Sequence, residues 1–472
     1  IGSGAGGGIA AHTLSKKYDV AVFDKASYLN KEANNETFGY HNFFEHYGLS
    51  ATRGFGIQLL TGKSIGGGTS INWQTSLETP TEVLNEWDEL TKQKDYFNSD
   101  AFRESIEHVV DNLGVTTDFN HIPLKEEKLA EGFDKNNIGY RVIPKNNHST
   151  HGMECGFCAF GCGYESRNSS YKVWLENEDF NGDIYSDTGI QKIIIDNNKA
   201  THIEVENNGT VSRIEVERVV LAGGSLNTPS ILLNSGYKNP QLGKNLKTHP
   251  VSGVAGKFNE EQKPWYGSMQ GMHSEDFLFK TNNYGYLLQG LPMHPSIFFP
   301  YFPNFVSSAE DFIESYNHWS GAIVLTSDTS NGSLINNGPL WKYKLNDFDN
   351  NHLLDGLTKL VRSYYLAGAE EIMVSASPTM HWNRNENEDI EEFVSKILSI
   401  KNQPYRLLLG SAHQMGTARI NPNPERGVID LDGKVHGLKN VYIIDASTFP
   451  RCSGVNPMIS IQSMSHFLMS KI

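Results

Sequence analysis

The chain has 472 residues, of which 38% are hydrophobic and 20% charged, and its formal net charge is −14. This composition excludes a disordered or collagen-like chain, because enough apolar surface exists to offset chain entropy. The length exceeds what one hydrophobic core serves, so we expect two or more compact units. The acidic balance argues against a nucleic-acid partner, because phosphate binding depends on lysine and arginine displacing counterions.

The ends of the chain look trimmed, which limits what the sequence says about cellular location. The first residues, "IGSGAGG", begin directly on a glycine turn that a strand should precede. The last three, "SKI", differ by one residue from the peroxisomal signal S-K-L, an ending that a helix tail also reaches by chance. No apolar stretch reaches the roughly 18 residues that cross a bilayer, so no transmembrane segment is predicted. We expect a soluble protein that is cytoplasmic or peripheral to a membrane. The sequence does not determine its oligomeric state.

The first 25 residues carry the pattern of a dinucleotide-binding turn. Gly2, Gly4 and Gly7 fit G-x-G-x-x-G, a helix is expected from about Ala5, and an apolar strand closes at Asp24. The glycines permit a tight turn, a close approach to pyrophosphate and close packing of helix on sheet. The helix N-terminus would face phosphate, and the acidic residue would accept a ribose hydroxyl. This motif does not separate NAD from FAD.

A second glycine run, "GKSIGGGTSINW" at residues 62–73, favours FAD. FAD needs a further close approach of backbone along its extended chain, and glycine permits that approach. A flexible loop is the alternative interpretation. The candidate cofactor-binding residues of this run are Gly66, Gly67, Ser70 and Asn72.

A third element of the predicted cofactor site lies near the C-terminus. The apolar strand of "VYIIDASTFP" ends at Asp445, and Asn456 and Pro457 then have the order of an N-cap and a first helical residue. Apolar residues recur at helical spacing beyond Pro457. The positive end of such a helix would stabilise the anion that forms on flavin reduction.

The intervening sequence predicts two domains. The fold class is α/β, α+β overall, with a Rossmann-like FAD-binding domain of residues 1–85, 150–255 and 405–472. A second, substrate-binding domain of residues 86–149 and 256–404 is predicted to be an antiparallel sheet with helices.

Two stretches illustrate this interpretation. Residues 182–222 alternate apolar and polar residues between Asn-rich breaks and predict a β-meander, and 351–369 predicts a helix of the second domain. An aromatic run could be domain core or the wall of a substrate channel. Its members are Phe298, Phe299, Tyr301, Phe302 and Phe305.

Taken together, the motifs resemble those of the glucose–methanol–choline (GMC) oxidoreductases from end to end, and look most like the long-chain (fatty) alcohol oxidases. Cholesterol oxidases are the nearest competitor. The motifs that carry the resemblance are "GSGAGGG", "GKSIGGGTSINW", "AGGSLNTPSILLNSG" at 222–236, "LGKNLKTHP" at 242–250, "GSAHQMGTARI" at 410–420 and "DASTFPRCSGVNPMISIQ" at 445–462.

The resemblance implies an FAD-dependent oxidation of an alcohol CH–OH group. His413 would take the hydroxyl proton, Asn456 would hold the substrate oxygen, and flavin N5 would accept hydride. The leading expectation is a long-chain primary alcohol oxidised to the aldehyde, with O2 giving H2O2. The alternatives are a dehydrogenase of sterols or polyols that reduces a quinone or cytochrome, and a lyase with a structural flavin. Ile71 stands where some members tether the flavin to histidine, so non-covalent FAD is expected.

Three clustered cysteines leave a further question open. Cys155, Cys158 and Cys162 are spaced C-x₂-C-x₃-C, one thiolate short of an iron–sulfur ligand set, and His151 could complete a zinc site instead. Cys452 is about 290 residues away. The main interpretation is structural thiols in a turn over the cofactor with no metal, and an iron–sulfur cluster is the alternative.

Overall fold

The computed structural model describes residues 1–28, 35–150, 154–302, 309–335, 340–386 and 388–472. The helices are α1 Ala5–Ser15, α2 Glu36–Phe43, α3 Thr81–Thr91, α4 Asp100–Asn112, α5 Leu124–Lys135, α6 Gly224–Asn234, α7 Pro295–Phe298, α8 Ala309–Glu314, α9 Asp347–Leu366, α10 Ile390–Leu398 and α11 Met458–Met469. None of these described helices has both the length and the apolar character needed to cross a bilayer.

The strands number twenty in the described residues. They are β1 Val20–Phe23, β2 Gln58–Leu59, β3 Val115–Thr116, β4 Arg141–Val142, β5 Lys145–Asn146, β6 Gly182–Tyr185, β7 Gly189–Asp196, β8 Lys199–Asn207, β9 Thr210–Glu215, β10 Val219–Leu221, β11 Val251–Lys257, β12 Met272–Ser274, β13 Tyr286–Leu291, β14 Trp319–Thr326, β15 Ser333–Ile335, β16 Leu340–Lys342, β17 Glu371–Val374, β18 Met380–Asn383, β19 Gly410–Ser411 and β20 Val441–Ile443.

A parallel layer lies at the N-terminal glycine turn. Strand β1 pairs with β6, and β10 pairs with β20, both in parallel register. The first two residues join these pairs, because Gly2 N–H donates to the Phe23 carbonyl and Ala222 N–H donates to the Ile1 carbonyl, each at 2.8 Å. The sequence prediction of strand, glycine turn and helix is confirmed here, with α1 beginning at Ala5.

The meander prediction for residues 182–222 is correct only in its middle. Strands β7, β8 and β9 form a three-stranded antiparallel sheet over 189–215. The first and last strands of the stretch, β6 and β10, leave it for the parallel layer. Alternation of apolar and polar residues marks a strand but does not choose its partner, which explains the difference.

The large antiparallel sheet forms the second half of the molecule. Its order is β18-β17-β11-β14-β13-β12-β4, and β19 joins β11 to β2 at one side. Helix α9 packs across β11, β13 and β14 and contacts α5 and α10. Its N-terminus is capped by Asn346, whose side chain accepts from Asp349 N–H. The predicted helix 351–369 is thus α9, displaced toward the N-terminus.

Core packing favours two domain boundaries other than those predicted from the sequence. Helices α3 and α4 bury Trp87 and Phe102 in the same core as α1 and α11, whereas α5 packs in the core beneath the antiparallel sheet. Strand β11 begins at Val251 and lies inside that sheet. We therefore propose boundaries near residue 113 and near residue 250, in place of 85 and 255.

Helix α11 begins one residue later than predicted. Its N-cap is Pro457, and its first turn has no side-chain cap, so the predicted capping role of Asn456 is wrong. The Asn456 side chain is engaged elsewhere, because its Oδ1 accepts from Gln289 Nε2 at 2.8 Å.

Three histidines and Trp174 form a ring cluster between α1, α4 and α11. The His108 and His466 rings stack with centroids 4.2 Å apart, and both His12 and His108 lie against the indole. Burial, followed by the neighbouring His108, lowers the pKa of His466 to about 4. Burial also lowers the pKa of His12 and His108.

This cluster predicts a loss of stability in acid. The unfolded histidines bind protons from about pH 6.5 downward, whereas folded His466 stays neutral to about pH 4, so the free energy of unfolding falls through that window. His466→Asn should reduce the loss between pH 7 and pH 5, measured by urea denaturation at each pH. His202→Asn on β8 is the control and should keep the wild-type dependence. An unchanged loss in His466→Asn would contradict the prediction.

Candidate active site

A cavity of about 580 Å³ lies between the parallel layer and the antiparallel sheet. Most of the residues predicted to bind the cofactor or act in catalysis line it, although they come from stretches far apart in the chain. They are Gly2, Gly4, Asp24, Gly67, Asn72, His413, Asp445, Asn456 and Pro457. Three predicted residues, Gly7, Gly66 and Ser70, do not line it.

Two glycine loops meet at the N-terminus of α1. Gly2 has φ +94°, and a Cβ there would clash with the Ala222 carbonyl. Gly67 has φ +56°, and a Cβ there would lie 2.7 Å from the Gly4 Cα. The N-cap of α1 is Gly4, with no side-chain cap, so the N–H groups of the first turn are open to an anion. This cradle fits a pyrophosphate.

Gly7, Gly66 and Ser70 shape these loops without touching the cavity. A Cβ on Gly7 would clash with the Gly2 carbonyl. Gly66 N–H donates to the Ser3 Oγ at 2.9 Å, and the Ser70 hydroxyl donates to the Ile65 carbonyl at 2.8 Å. These contacts shape the two loops, and a cofactor-binding role for the three residues stays a prediction.

The two predicted carboxylates are held by the backbone around them. Asp24 Oδ2 accepts from Ser3 N–H at 2.8 Å and from the Ser3 hydroxyl at 2.6 Å. Asp445 Oδ2 accepts from Gly224 N–H at 2.8 Å and from the Thr228 hydroxyl at 2.6 Å. Burial raises the pKa of Asp445. Asp24 thus fixes the first glycine turn, and Asp445 joins the end of β20 to the start of α6.

His413 follows β19 and lies against a second histidine. Its Nδ1 is 3.3 Å from His249 Nδ1, and the two rings are perpendicular at 86°. Burial lowers the pKa of His249 to about 4 and, together with His249, lowers that of His413 well below its usual range. Both rings are therefore neutral near pH 7. Between two neutral rings one Nδ1 donates and the other accepts, so each tautomer depends on its neighbour.

Sequence reasoning missed His249 and Gln289 as residues of the site. His249 is inside "LGKNLKTHP", a motif that indicated the family, but the motif gave the histidine no role. Gln289 lines the cavity from β13. No local pattern marks it, because its contact with Asn456 spans 167 residues.

The clustered cysteines Cys155, Cys158 and Cys162 are in no candidate ligand set in the part of the chain that the structure describes. The only group of three or more candidate ligand atoms found there is His249, Asp328 and Cys452, within 4.8 Å of one another. The Asp328 carboxylate in that group already accepts from the backbone N–H groups of Thr248 and His249. His151 lies outside the described residues.

A turn that contains Cys158 lies beside the cavity. Cys158 begins a 3-10 turn that ends at Phe160, and the residue between them, Ala159, lines the cavity. Arg167 anchors the turn by donating from Nη2 to the Cys158 carbonyl at 2.6 Å.

Much of the remaining cavity wall is apolar. The aromatic run divides between the two predicted roles: Phe298 is fully buried and stacks on Phe302 at 4.3 Å, whereas Tyr301 and Phe302 also line the cavity. Phe305 lies outside the described residues. The other apolar lining side chains include Tyr40, Phe44, Ile71, Leu291, Ile297, Ile323 and Leu325.

Models of the GMC oxidoreductases match residues 40–251 and 318–465. The chain belongs to the GMC oxidoreductase family. The chain is 31% identical to the long-chain-alcohol oxidase FAO4A of Arabidopsis thaliana in an alignment that covers 99% of the chain. It is 29% identical to FAO4B of the same plant in an alignment that covers the full chain. It spans 67% and 66% of these relatives.

The fold agrees with this assignment. The crystal structure of pyridoxine 4-oxidase from Mesorbium loti superposes with a TM-score of 0.72 at 14% identity, covering 100% of this chain and 97% of that one. As a GMC oxidoreductase the protein uses FAD, and the glycine cradle at α1 fits its pyrophosphate. Ile71, buried against the cavity, offers no nucleophile to the flavin, and non-covalent binding stays a prediction.

The contact between the glycine loops predicts a cofactor-binding defect. Gly67→Ala places a methyl group against Gly4 at a positive φ, so the loops must separate and bound FAD should fall several-fold. The measurement is flavin absorbance per protein after gel filtration. Gly189→Ala on β7, where the new methyl meets its nearest atom at 3.7 Å, is the control and should keep its flavin. Full flavin content in Gly67→Ala would contradict the close-approach argument.

Proposed function

We propose that the protein oxidises long-chain primary alcohols to aldehydes, with O2 as the electron acceptor and H2O2 as the second product. One observation carries the proposal: His413 and Asn456 line the same cavity as the glycine cradle, and the remaining wall is largely apolar. The likeness to the plant long-chain-alcohol oxidases supports it.

In the proposed reaction, the protein binds the alcohol oxygen between His413 and Asn456. With its Nδ1 turned to His249, His413 uses Nε2 to take the hydroxyl proton. Asn456 donates from Nδ2 to the same oxygen, since its Oδ1 is already occupied by Gln289. When bound, FAD would supply the hydride acceptor and the two-electron reduction of O2, with two protons, to H2O2.

Neutrality suits His413 to this role. A histidine that is protonated near neutral pH cannot accept a proton, and burial keeps this one in its basic form. The role requires the tautomer with hydrogen on Nδ1, which donates to His249 Nδ1 and leaves Nε2 as the acceptor. His249 then carries hydrogen on Nε2, an atom with no hydrogen-bond partner among the described residues.

The proposal predicts a large effect of His413→Ala. Loss of a general base costs about 10²–10⁴ in rate, so flavin reduction by dodecanol in the absence of air should slow by at least 10². The measurement is stopped-flow bleaching of flavin absorbance at saturating alcohol, with flavin content checked first. His202→Ala, a histidine on β8, is the control and should leave the rate unchanged. A wild-type rate in His413→Ala would remove this residue from catalysis.

The apolar wall predicts a preference for long chains. Burying a methylene contributes about 0.8 kcal/mol, so kcat/KM should rise by up to about fourfold per carbon from hexanol until the cavity is filled. The measurement is peroxide formation in air across hexanol, octanol, decanol and dodecanol. A flat or falling series would contradict the long-chain substrate. Flavin bleaching without peroxide in air would instead indicate a dehydrogenase that uses another acceptor.

A further inference from the structure

A chain of buried side-chain amides ends at Asn456. The Thr75 hydroxyl lies 2.8 Å from Gln270 Oε1, Gln270 Nε2 donates to Gln289 Oε1 at 3.3 Å, and Gln289 Nε2 donates to Asn456 Oδ1 at 2.8 Å. Gln270 is 1% exposed and Gln289 is fully buried. All four residues line the cavity.

The direction of this chain is fixed at one end by a backbone group. Gln270 Nε2 also donates to the Gly290 carbonyl at 3.0 Å, and a carbonyl only accepts. Gln270 therefore directs its donor, Nε2, at Gln289. Gln289 must accept with Oε1, which turns its own donor, Nε2, toward Asn456. Asn456 must then accept this hydrogen bond with Oδ1. Its Nδ2, which has no acceptor among the described residues, is left as the free end of the amide on a residue that lines the cavity.

We propose that Gln270 and Gln289 are positioning residues that set the amide orientation of Asn456, so that it offers the substrate oxygen a donor and not an acceptor. The inference rests on the proposed alcohol oxidation. The orientation matters because an asparagine rotated by half a turn would present Oδ1 to the substrate. That oxygen would accept a hydrogen bond from the substrate hydroxyl in competition with His413, and it would repel the negative charge that develops on the substrate oxygen.

Burial explains why two glutamines are required. A buried amide without partners costs free energy, so each must be satisfied by a neighbour of fixed polarity. The Gly290 carbonyl belongs to β13, where it cannot rotate, and it anchors the whole series. Asn456 alone could turn either way, because both ends of its amide are similar in shape.

Gln289→Met, which keeps the volume and removes the donor, tests the proposal. With Asn456 free to rotate, flavin reduction at saturating dodecanol should slow by about ten- to a hundredfold, the range for a hydrogen bond to a developing charge. The dissociation constant of 2-methyl-2-decanol should rise only about two- to tenfold, because the neutral alcohol carries no such charge. This tertiary alcohol has no hydride to lose, so flavin spectral shifts report its binding alone.

A double-mutant cycle separates positioning from general damage to the site. In an Asn456→Ala background, Gln289→Met should change neither the reduction rate nor the binding of the tertiary alcohol, because the amide it orients is gone. Gln270→Met should behave like Gln289→Met, with a smaller effect. Gln262→Met, another buried glutamine that lies outside the cavity, is the matched control and should match the wild type.

Each outcome decides the inference. Equal losses from Gln289→Met in the presence and absence of Asn456 would overturn it in favour of a structural role, and so would a wild-type rate in Gln289→Met. Absence of tertiary-alcohol binding to the wild type would overturn it too. A further outcome separates the two proposals. If no primary alcohol reduces the flavin, the proposed function is refuted. If Gln289→Met still weakens binding of the tertiary alcohol, the positioning role stands.

Discussion

The site depends on a contact between two backbones that no side chain could share. Gly67 and Gly4 approach so closely that a Cβ on Gly67 would lie 2.7 Å from the Gly4 Cα. This approach brings the second glycine loop against the uncapped N-terminus of α1. Helix α1 also packs on α11, and Asn456 lies two residues before α11 begins. The glycine cradle and Asn456 are therefore both positioned by α1 and its neighbours.

His413 is brought to the cavity by the antiparallel sheet. His413 follows β19, which is held between β11 and β2, while His249 lies two residues before β11. The two histidines therefore approach each other because their strands pair. The Gln289 contact crosses from the sheet to the residues before α11, so it joins the two halves of the molecule at the cavity wall.

Local patterns predicted what local physics determines. The glycine turn, α1, β1 and the position of Asp24 follow from glycine geometry and apolar spacing within 25 residues, and the structure has them as expected. The family motifs predicted that His413 and Asn456 share one site, and both residues line the cavity. The polar contacts of these two residues span 164 and 167 residues, and no periodicity encodes them. The predicted cap at Asn456 was wrong because Gln289 occupies the oxygen that capping would use.

Burial has two effects on His413. It keeps the ring neutral and so able to accept a proton, and it lowers the basicity of the ring. A low pKa keeps the ring neutral, but it also makes the protonated ring costly once the hydroxyl proton has arrived. In the proposed reaction that cost must be offset on the substrate side, by groups that stabilise charge on the oxygen as the proton leaves. Asn456 is placed to do this only while its amide nitrogen faces the oxygen. The buried glutamines and the buried histidines are therefore two parts of one requirement, because a base of low pKa needs a donor of fixed direction opposite it.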